Sequence, residues 1–362
     1  MKTTIILAVA IVIVLLFIRV YHTPGQQTKV HFRQVALHSS AIYHSKNLYT
    51  EPPSEKYRYG SLQLYPIFAS QVFLKHHQQL GPYLSLQEAL DQKKIVITEV
   101  SSKEDRPTNP TARQDQNSEI DEAEVNRLFV ENISSDTIII LGGELIRGGK
   151  QDRMIAQDFM ILPHSGKLDI AVYCVEHGRW SGMEEAPATF QIAMDVAPNK
   201  VRSAAKAARP QEKVWEEVAD LNINFEVNAP TDALASAVAD EKMLESIQPY
   251  KDHLEKISWP KNVVGVIAVM GTEVVGLDVF AQNQLFAKYY PSLLSSYSSD
   301  AYAHRDSGMM SYTEVQFFLK KLISNEEAFE KYIREHGTQL EHKGYRIHAA
   351  VYEDGDEKES DR

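Results

Sequence analysis

The chain has 362 residues, of which 43% are hydrophobic and 24% are charged, and this composition is typical of a globular protein with ample core. Its formal net charge of −11 at pH 7 argues against a general nucleic-acid binder, because phosphate backbones are bound by an excess of lysine and arginine. Cys174 is the single cysteine, so no disulfide can form within the chain.

The N-terminus carries an unbroken apolar run from Ile5 to Ile18. Its length is close to the roughly 20 residues that cross a bilayer, and no A-x-A-like cleavage triplet follows the run. We therefore predict a single-pass membrane anchor in residues 1–24, which contacts the membrane through residues 4–21. A cleaved signal segment and a buried core helix are the alternatives. The short basic N-terminal tail favours a C-terminal body outside the cytoplasm.

The middle of the chain has the pattern of β-structure. Residues 25–59 are predicted as a stalk and lead-in, and residues 60–195 as a β-rich half, because short apolar or alternating runs there are separated by turn residues. Within it, Ser85 with Glu88 three residues later predicts the capped start of a short helix. The polar stretch 101–124 is almost without large apolar residues, which predicts a mobile insertion between two strands.

Helical spacing of apolar residues dominates the next part, residues 196–353, which we predict as an α+β half. Its segment "NVVGVIAVMGTEVVGLDVF" predicts a buried hairpin that turns near Gly271 and Thr272, and "GYRIHAAVY" predicts a closing strand. Residues 354–362 form a solvated acidic tail. The predicted fold class is therefore α+β: an N-terminal transmembrane anchor, an antiparallel β-rich half, and a helix-plus-hairpin half.

The stretch "GGELIRGGKQDR", residues 142–153, combines two glycine pairs with long polar side chains. Glycine lets backbone amides approach a ligand closely, because there is no Cβ to clash. Lys150, Gln151 and Arg153 supply donors for an anion, and Arg153 can bind a carboxylate or phosphate through two parallel hydrogen bonds. Glu144 adds an acid. These four side chains are candidate ligand-binding residues.

A second polar stretch, "CVEHGRW" (residues 174–180), follows the last apolar run of the β-rich half. It adds Glu176, a second guanidinium at Arg179, and a stacking face at Trp180. We predict that the two stretches are adjacent strand ends that form one polar site. The alternative is an internal arginine–glutamate network that holds two hairpins together, with Trp180 in the core. The residue types alone leave both interpretations open.

The remaining candidate residues do not predict a nucleophile, a metal site or a cofactor site. Cys174 lies close to His177, but strand neighbours point to opposite faces, and a lone cysteine in a β-run indicates a small buried hydrophobe. His164, His177 and Glu176 lack the spacing of HxH, HExxH or CxxC motifs, so no metal site is predicted. Walker A, GxGxxG and GxSxG motifs do not occur in the sequence, and no cofactor is expected.

Four segments carry a family resemblance, and they occur in this order: "LSLQEALDQKKIVITEV", "VNRLFVENISSDTIIILGGELIRGGKQDRMI", "ILPHSGKLDIAVYCVEHGRW" and "VVGLDVFAQNQLFAKYYPSLLSSYSSDA". Together they resemble the ARG-and-rhodanese-phosphatase-superfamily-associated domain family, whose members are mostly prokaryotic. The resemblance covers Ser61–Ala303, and "GGKQDR" and "CVEHGRW" are its most specific parts. It implies a context of ADP-ribose or phosphorylated small-molecule metabolism, and it carries over no catalytic residue.

Three functions follow as hypotheses. The first is a membrane-anchored module that binds an anionic small molecule, of the ADP-ribose or phosphorylated-metabolite type, at residues 144–153 and 176–180. The second is a hydrolase that uses Glu144 or Glu176 as general base. The third is a purely structural interaction module. Side chains that cluster around a pocket would favour the first two, and paired burial of the same side chains would favour the third. The sequence makes no prediction of the oligomeric state.

Overall fold

A computed structural model describes residues 42–100, 126–149, 151–176, 190–194, 196–205, 210–227, 233–304 and 308–352. The predicted anchor, the predicted insertion at 101–124 and the acidic tail lie outside these ranges. Within them, no helix is both long enough and apolar enough to cross a membrane. The α+β class with antiparallel sheets, predicted from the sequence, is confirmed.

The described ranges contain sixteen strands: β1 Leu48–Tyr49, β2 Arg58–Tyr59, β3 Leu62–Ala69, β4 Tyr83–Ser85, β5 Ile95–Glu99, β6 Arg127–Asn132, β7 Thr137–Ile140, β8 Leu145–Arg147, β9 Arg153–Ile155, β10 Phe159–Ile161, β11 Gly166–Cys174, β12 Gln191–Met194, β13 Val263–Met270, β14 Glu273–Phe280, β15 Gly337–His342 and β16 Tyr345–Tyr352. The same ranges contain nine α-helices: α1 Gln71–His77, α2 Leu86–Asp91, α3 Asn199–Ala204, α4 Gln211–Asn224, α5 Leu234–Val238, α6 Glu241–Leu254, α7 Asn283–Ala303, α8 Tyr312–Leu322 and α9 Glu326–His336. A short 3-10 helix occupies Glu55–Tyr57.

The central sheet is antiparallel, with the strand order β1-β3-β13-β14-β16-β15 and β2 added beside β3. The predicted hairpin is confirmed: β13 and β14 pair up to Met270 opposite Glu273, and the turn lies at Gly271 and Thr272. The predicted closing strand is β16, which pairs with both β14 and β15. Every residue of β3 and β13 is buried, because helices cover both faces of this sheet.

Side chains that alternate along the strands of the central sheet pack into two separate hydrophobic cores, one on each face. On one face, Leu64 and Val266 pack with Phe286 and Tyr289 of α7. On the other face, Ile67 and its neighbours pack with residues of α1, α8 and α9, among them Phe73, Val315 and Phe329. Burial on both faces explains the near-continuous apolar sequence of β13, whereas a strand with one solvated face alternates apolar and polar residues.

The β-rich unit consists of two further sheets. The three-stranded one has the order β10-β7-β4, and the six-stranded one has the order β12-β8-β9-β11-β6-β5. All pairings in it are antiparallel except the parallel pair of β4 and β7. Apolar side chains of both sheets, such as Ile138, Val130 and Ile170, form one core between them. The predicted antiparallel β-rich unit is therefore present.

The predicted start of a short helix at Ser85 is confirmed at α2. The Ser85 hydroxyl accepts a hydrogen bond from the Glu88 amide, and the Glu88 carboxylate accepts one from the Ser85 amide. The two orphan amides at the helix start are thus satisfied by local side chains. Glu88 also pairs with Lys288 of α7, so this short helix is tied to the helical layer of the central sheet.

The chain enters the central sheet twice. Strand β3 lies within residues 60–195, the predicted β-rich half, but it pairs with β13 rather than with a strand of the β-rich unit. The chain then leaves the central sheet, builds the β-rich unit and the helices α3 to α6, and returns at β13. Helix α3 lies at the seam between the two parts, where it contacts both α7 and β16.

Candidate functional site

The two polar stretches singled out in the sequence are adjacent in the fold. Strand β9 pairs with β11, and this register places Arg153 directly opposite Cys174. Gln151 and Glu176 come from the ends of the same two strands and lie against each other. Lys150, Arg179 and Trp180 lie outside the described residues. The described candidates Glu144, Gln151, Arg153 and Glu176 are all buried, with at most 5% of their surface exposed.

The buried candidates of the β9–β11 pair bind one another and the backbone. The Gln151 amide donates to the Glu176 carbonyl oxygen at 3.1 Å, and the Glu176 carboxylate accepts from the Asp152 amide at 3.3 Å. The Cys174 thiol donates to the Gln151 side-chain oxygen at 3.1 Å. Arg153 donates to the Asp152 carbonyl oxygen at 3.4 Å. We call these five residues the Arg153 cluster.

Arg153 has an acidic partner that the sequence did not indicate. Its guanidinium lies 4.0 Å from the carboxylate of Glu99, at the end of β5. The alternative of an internal network therefore has direct support in the arginine–acid contact, but its acid is Glu99 rather than Glu144 or Glu176. The ligand-binding role predicted for the four described candidates and for Lys150, Arg179 and Trp180 stays a prediction.

Glu144 lies apart from the Arg153 cluster. Its carboxylate accepts a hydrogen bond from the Leu141 amide at 2.7 Å. It stands close enough to Tyr289 of α7 to affect that phenol: burial, followed by the nearby charges of Glu144 and Asp158, raises the pKa of Tyr289 well above its usual range. Glu144 is thus part of the seam between the β-rich unit and the central sheet.

Cys174 is buried, as the sequence predicted. Burial raises the pKa of its thiol, and this effect outweighs the nearby Glu176 backbone group and Arg153, which lower it. A raised pKa disfavours the thiolate, which is the nucleophilic form of cysteine. The environment of Cys174 is therefore that of a structural cysteine, which also donates a hydrogen bond within the Arg153 cluster.

A second polar cluster crosses the seam between the two parts of the molecule. His348 of β16 places one ring nitrogen 2.6 Å from Asp158, which precedes β10 in the β-rich unit. Its other ring nitrogen lies 3.1 Å from Asp278 of β14. Burial alone lowers the pKa of His348, but the two carboxylates outweigh it and raise the pKa to about 9. The ring is therefore an imidazolium that donates from both nitrogens.

Arg202 of α3 extends this cluster. Its guanidinium donates to Asp278 at 3.1 Å, to the hydroxyl of Tyr352 at 3.0 Å and to the side chain of Asn199 at 3.0 Å. Burial raises the pKa of Asp278, yet Arg202 and His348 outweigh it and hold that pKa well below its usual range. We call Arg202, Asp278, His348, Asp158 and Tyr352 the Arg202 network.

The first glycine pair of residues 142–153 serves this network. The Gly142 amide donates to Asp158 at 2.8 Å, and the Gly143 amide donates to the Ile155 carbonyl oxygen at 2.8 Å. Gly143 has a φ of 95°, and a Cβ there would stand 2.7 Å from Cγ of Arg202. The expectation that this glycine pair exposes amides to a ligand is therefore wrong: Gly143 allows close approach of Arg202, Gly142 allows close approach of the Gln157 backbone, and both amides bind the protein.

A cavity of about 210 Å³ opens beside Arg202, between the β-rich unit and the edge of the central sheet. Its polar lining comes from Arg202, Arg334, Gln157, Thr338, Gln339 and Tyr352, and the glycine pair contributes backbone. No carboxylate is among the described lining residues. Nε of Arg202 is buried and has no hydrogen-bond partner, although every other donor group of this side chain has one.

The Arg202 network was not foreseen from the sequence, but a signal for it exists. Asp278 and His348 each interrupt an apolar strand, in "VVGLDVF" and "GYRIHAAVY". A charged residue in a fully buried strand must find a partner, because burying it alone costs several kcal/mol. The apolar sequence around Asp278 and His348 therefore indicates that both belong to a buried polar network. Which residues complete the network depends on the fold.

Nothing in the described ranges points to a bound metal. No three histidine, cysteine, aspartate or glutamate side chains there are grouped so as to hold a metal ion. The imidazole of His348 is held instead between two carboxylates.

Comparison with known proteins gives one match. No curated protein and no solved structure matches the chain. A sequence model of the ARG and Rhodanese-Phosphatase-superfamily-associated Protein domain matches residues 52–357. The match extends beyond the segments that carried the resemblance, and it includes the cavity and both polar clusters. The chain therefore belongs to the family of ARG and Rhodanese-Phosphatase-superfamily-associated proteins.

Proposed function

We propose that this protein binds a small anionic molecule in the cavity beside Arg202. The observation that carries the proposal is the lining of the cavity: its two charged side chains among the described residues are Arg202 and Arg334, and no described lining residue carries a carboxylate. An anion in the cavity would therefore meet only positive charge on the described lining.

The charges around the cavity favour an anion. Both charged side chains among the described lining residues are arginines. Arg334 of α9, 64% exposed, stands at the mouth, and Arg202, 1% exposed, stands at the inner end. Asp278 offsets much of the charge of Arg202, so the net attraction falls mainly to Arg334. Arg334 lies 3.7 Å from Glu330, in an exposed pair that contributes little to stability and leaves the guanidinium free to reorient.

Binding, rather than hydrolysis, is the function that these groups support best. Among the described residues that line the cavity there is no carboxylate, imidazole or thiol to act as general base or nucleophile. Glu144 and Glu176, the bases of the hydrolase hypothesis, are buried and accept hydrogen bonds from backbone amides. No observation favours the hydrolase over the binding module.

The class of ligand and the location rest on the sequence. The family resemblance supports an ADP-ribose or phosphorylated-metabolite type of ligand, and the apolar run Ile5–Ile18 supports a single-pass anchor with the body outside the cytoplasm. Mass spectrometry of the membrane fraction tests the anchor, since peptides from residues 19–26 should still be joined to it. A mature N-terminus between residues 20 and 29 would instead identify a cleaved signal.

The binding proposal is tested by titration calorimetry of the purified full-length protein with a panel of anions: orthophosphate, malate, ribose 5-phosphate and ADP-ribose. Arg334→Gln should weaken the best binder about tenfold, the scale of one charge-assisted hydrogen bond. Lys331→Gln is the matched control, because Lys331 is one turn away on the same helix and likewise pairs with a glutamate. Its affinity should equal that of the wild type.

Two outcomes would contradict the proposal. One is that no anion of the panel binds. The other is that Arg334→Gln and Lys331→Gln bind the best anion equally well, because binding would then depend on the total charge of the surface rather than on the cavity.

A further inference from the structure

Resting on that proposed function, we propose that the cavity recognises the sugar-phosphate end of its ligand and leaves any nucleobase outside. The ligand class is thus a small hydroxylated phosphate, such as a pentose phosphate, either free or as the terminal unit of a larger molecule. The size of the cavity, the covered aromatic ring and the distribution of its donors carry this proposal independently.

The first argument is size. The cavity measures about 210 Å³, whereas pockets that enclose drug-sized ligands measure about 300–1,000 Å³. An intact adenosine diphosphate ribose needs room for a purine, two sugars and two phosphates. One sugar with its phosphate is the largest part of such a molecule that the cavity can enclose.

The second argument is that the aromatic ring of Tyr352, in the cavity lining, is covered by other protein atoms. Tyr352 is the one aromatic residue among the described lining residues, and base recognition commonly relies on stacking against such a ring. The guanidinium of Arg202 stands over this ring, 4.4 Å from its centre. Tyr352 is also only 3% exposed, so neither of its faces is available to a base. The inner end of the cavity therefore offers a nucleobase no stacking surface.

The third argument is the distribution of donors between the two ends. At the inner end, the Arg202 side chain is 1% exposed and its charge is largely offset by Asp278, so this end attracts an anion weakly and suits a neutral, hydroxylated group. Gln339 accepts from Arg346 through its side-chain oxygen, and its amide nitrogen remains as a donor. At the mouth, Arg334 provides the net positive charge for the phosphate. A sugar thus lies inside, and its phosphate lies at the mouth.

Calorimetry with three ligands tests this arrangement on the full-length protein. Ribose 5-phosphate and ADP-ribose should bind with affinities within about threefold of each other, because both can insert a ribose whose C1 carries no base. AMP should bind at least about tenfold more weakly, because its base occupies C1 of the only sugar. Gln339→Ala removes the amide donor assigned to the sugar, and it should weaken ribose 5-phosphate about fivefold and leave orthophosphate unchanged, with Gln78→Ala as a surface control outside the cavity.

The outcomes separate this inference from the proposed function. ADP-ribose binding tenfold or more tightly than ribose 5-phosphate would overturn the inference, because parts of the molecule beyond one sugar phosphate would then contribute. AMP binding as well as ribose 5-phosphate would also overturn it, because a base on C1 would then be accommodated. If those ligands bind and lose affinity in Arg334→Gln, the proposed function stands even so. If only orthophosphate or malate binds in an Arg334-dependent way, the sugar is not recognised, and the inference alone fails.

Discussion

Two buried arginines invite comparison, because the sequence pointed to Arg153 and the structure points to Arg202. Arg153 lies inside the β-rich unit, and its described contacts go to the backbone and to Glu99. Arg202 lies at the seam, and its side chain lines a cavity. Both side chains are almost fully buried. Burial and charge therefore do not distinguish a structural arginine from a binding one; a position in the lining of a cavity does.

The largest expected effect is at the seam. Arg202→Met leaves Asp278 without its guanidinium partner, and it removes the stack on Tyr352. We expect a loss of about 4 kcal/mol in the free energy of unfolding, the range for breaking a buried ion pair on one side. Urea denaturation monitored by tyrosine and tryptophan fluorescence measures it. A loss below about 1 kcal/mol would mean that Arg202 is no part of what holds the two units together.

The second effect concerns pH and His348. Its folded pKa of about 9 lies above the usual histidine value of 6.5, so the protonated ring stabilises the fold fully below pH 6.5. That contribution is lost as pH rises through 9 and should amount to about 3 kcal/mol. Unfolding free energies of the wild type at a series of pH values measure this decrease. His348→Phe should lack the decrease, whereas His164→Gln, at an exposed histidine, should retain it.

The third effect sharpens the contrast with the Arg153 cluster. Arg153→Met removes the partner of Glu99, but Glu99 is partly exposed and lies at 4.0 Å, so water can compensate in part. We expect a loss of about 2 kcal/mol in the free energy of unfolding, with no change in anion affinity. Arg127→Met, in an exposed pair with Asp169, is the matched control and should cost at most about 1 kcal/mol. Weakened anion binding in Arg153→Met would return the predicted site to this cluster.

The smallest effect is at Cys174. Cys174→Ala leaves a void and removes the hydrogen bond to Gln151, and it should cost about 1 kcal/mol in unfolding free energy. Thermal or urea unfolding of the variant measures the cost. Since burial raises the thiol pKa, labelling of the native protein at neutral pH should be slow. Rapid labelling that also abolishes anion binding would show that this residue is reactive and close to the ligand.

Local sequence patterns predicted much of the secondary structure. The capping box at Ser85, the hairpin turn at Gly271 and the strand up to Tyr352 are confirmed, because each depends on residues close together in the sequence. The partner of β3 could not be foretold. Its apolar sequence indicates a buried strand, but the choice of β13 as neighbour depends on packing across the whole sheet.

The candidate site was foretold in part. The pairing of β9 with β11 places the two polar stretches side by side, with Arg153 opposite Cys174, and this adjacency was predicted from the sequence. The ligand-binding role of the stretches stays a prediction. The Arg202 network draws on four separate segments, and its members meet because α3, β14, β16 and the turn before β10 converge at the seam. Gly143 was correctly marked as special, but its role depends on Arg202, which is 59 residues away in the chain. The spacing of residues along the sequence cannot predict a contact between residues so far apart in the chain.

The pairing of β3 with β13 also determines the order in which parts of the chain can fold during synthesis. The ribosome makes β3 early, but roughly 190 residues must follow before β13 exists, which takes about 10–40 s at 5–20 residues per second. During that interval an eight-residue strand, buried on both faces in the final fold, has only the two-residue strands β1 and β2 to pair with. The β-rich unit, whose strands pair with one another, can form in the meantime. A nascent chain stalled before residue 263 should therefore hold a folded β-rich unit and an exposed β3, a segment that chaperones would bind.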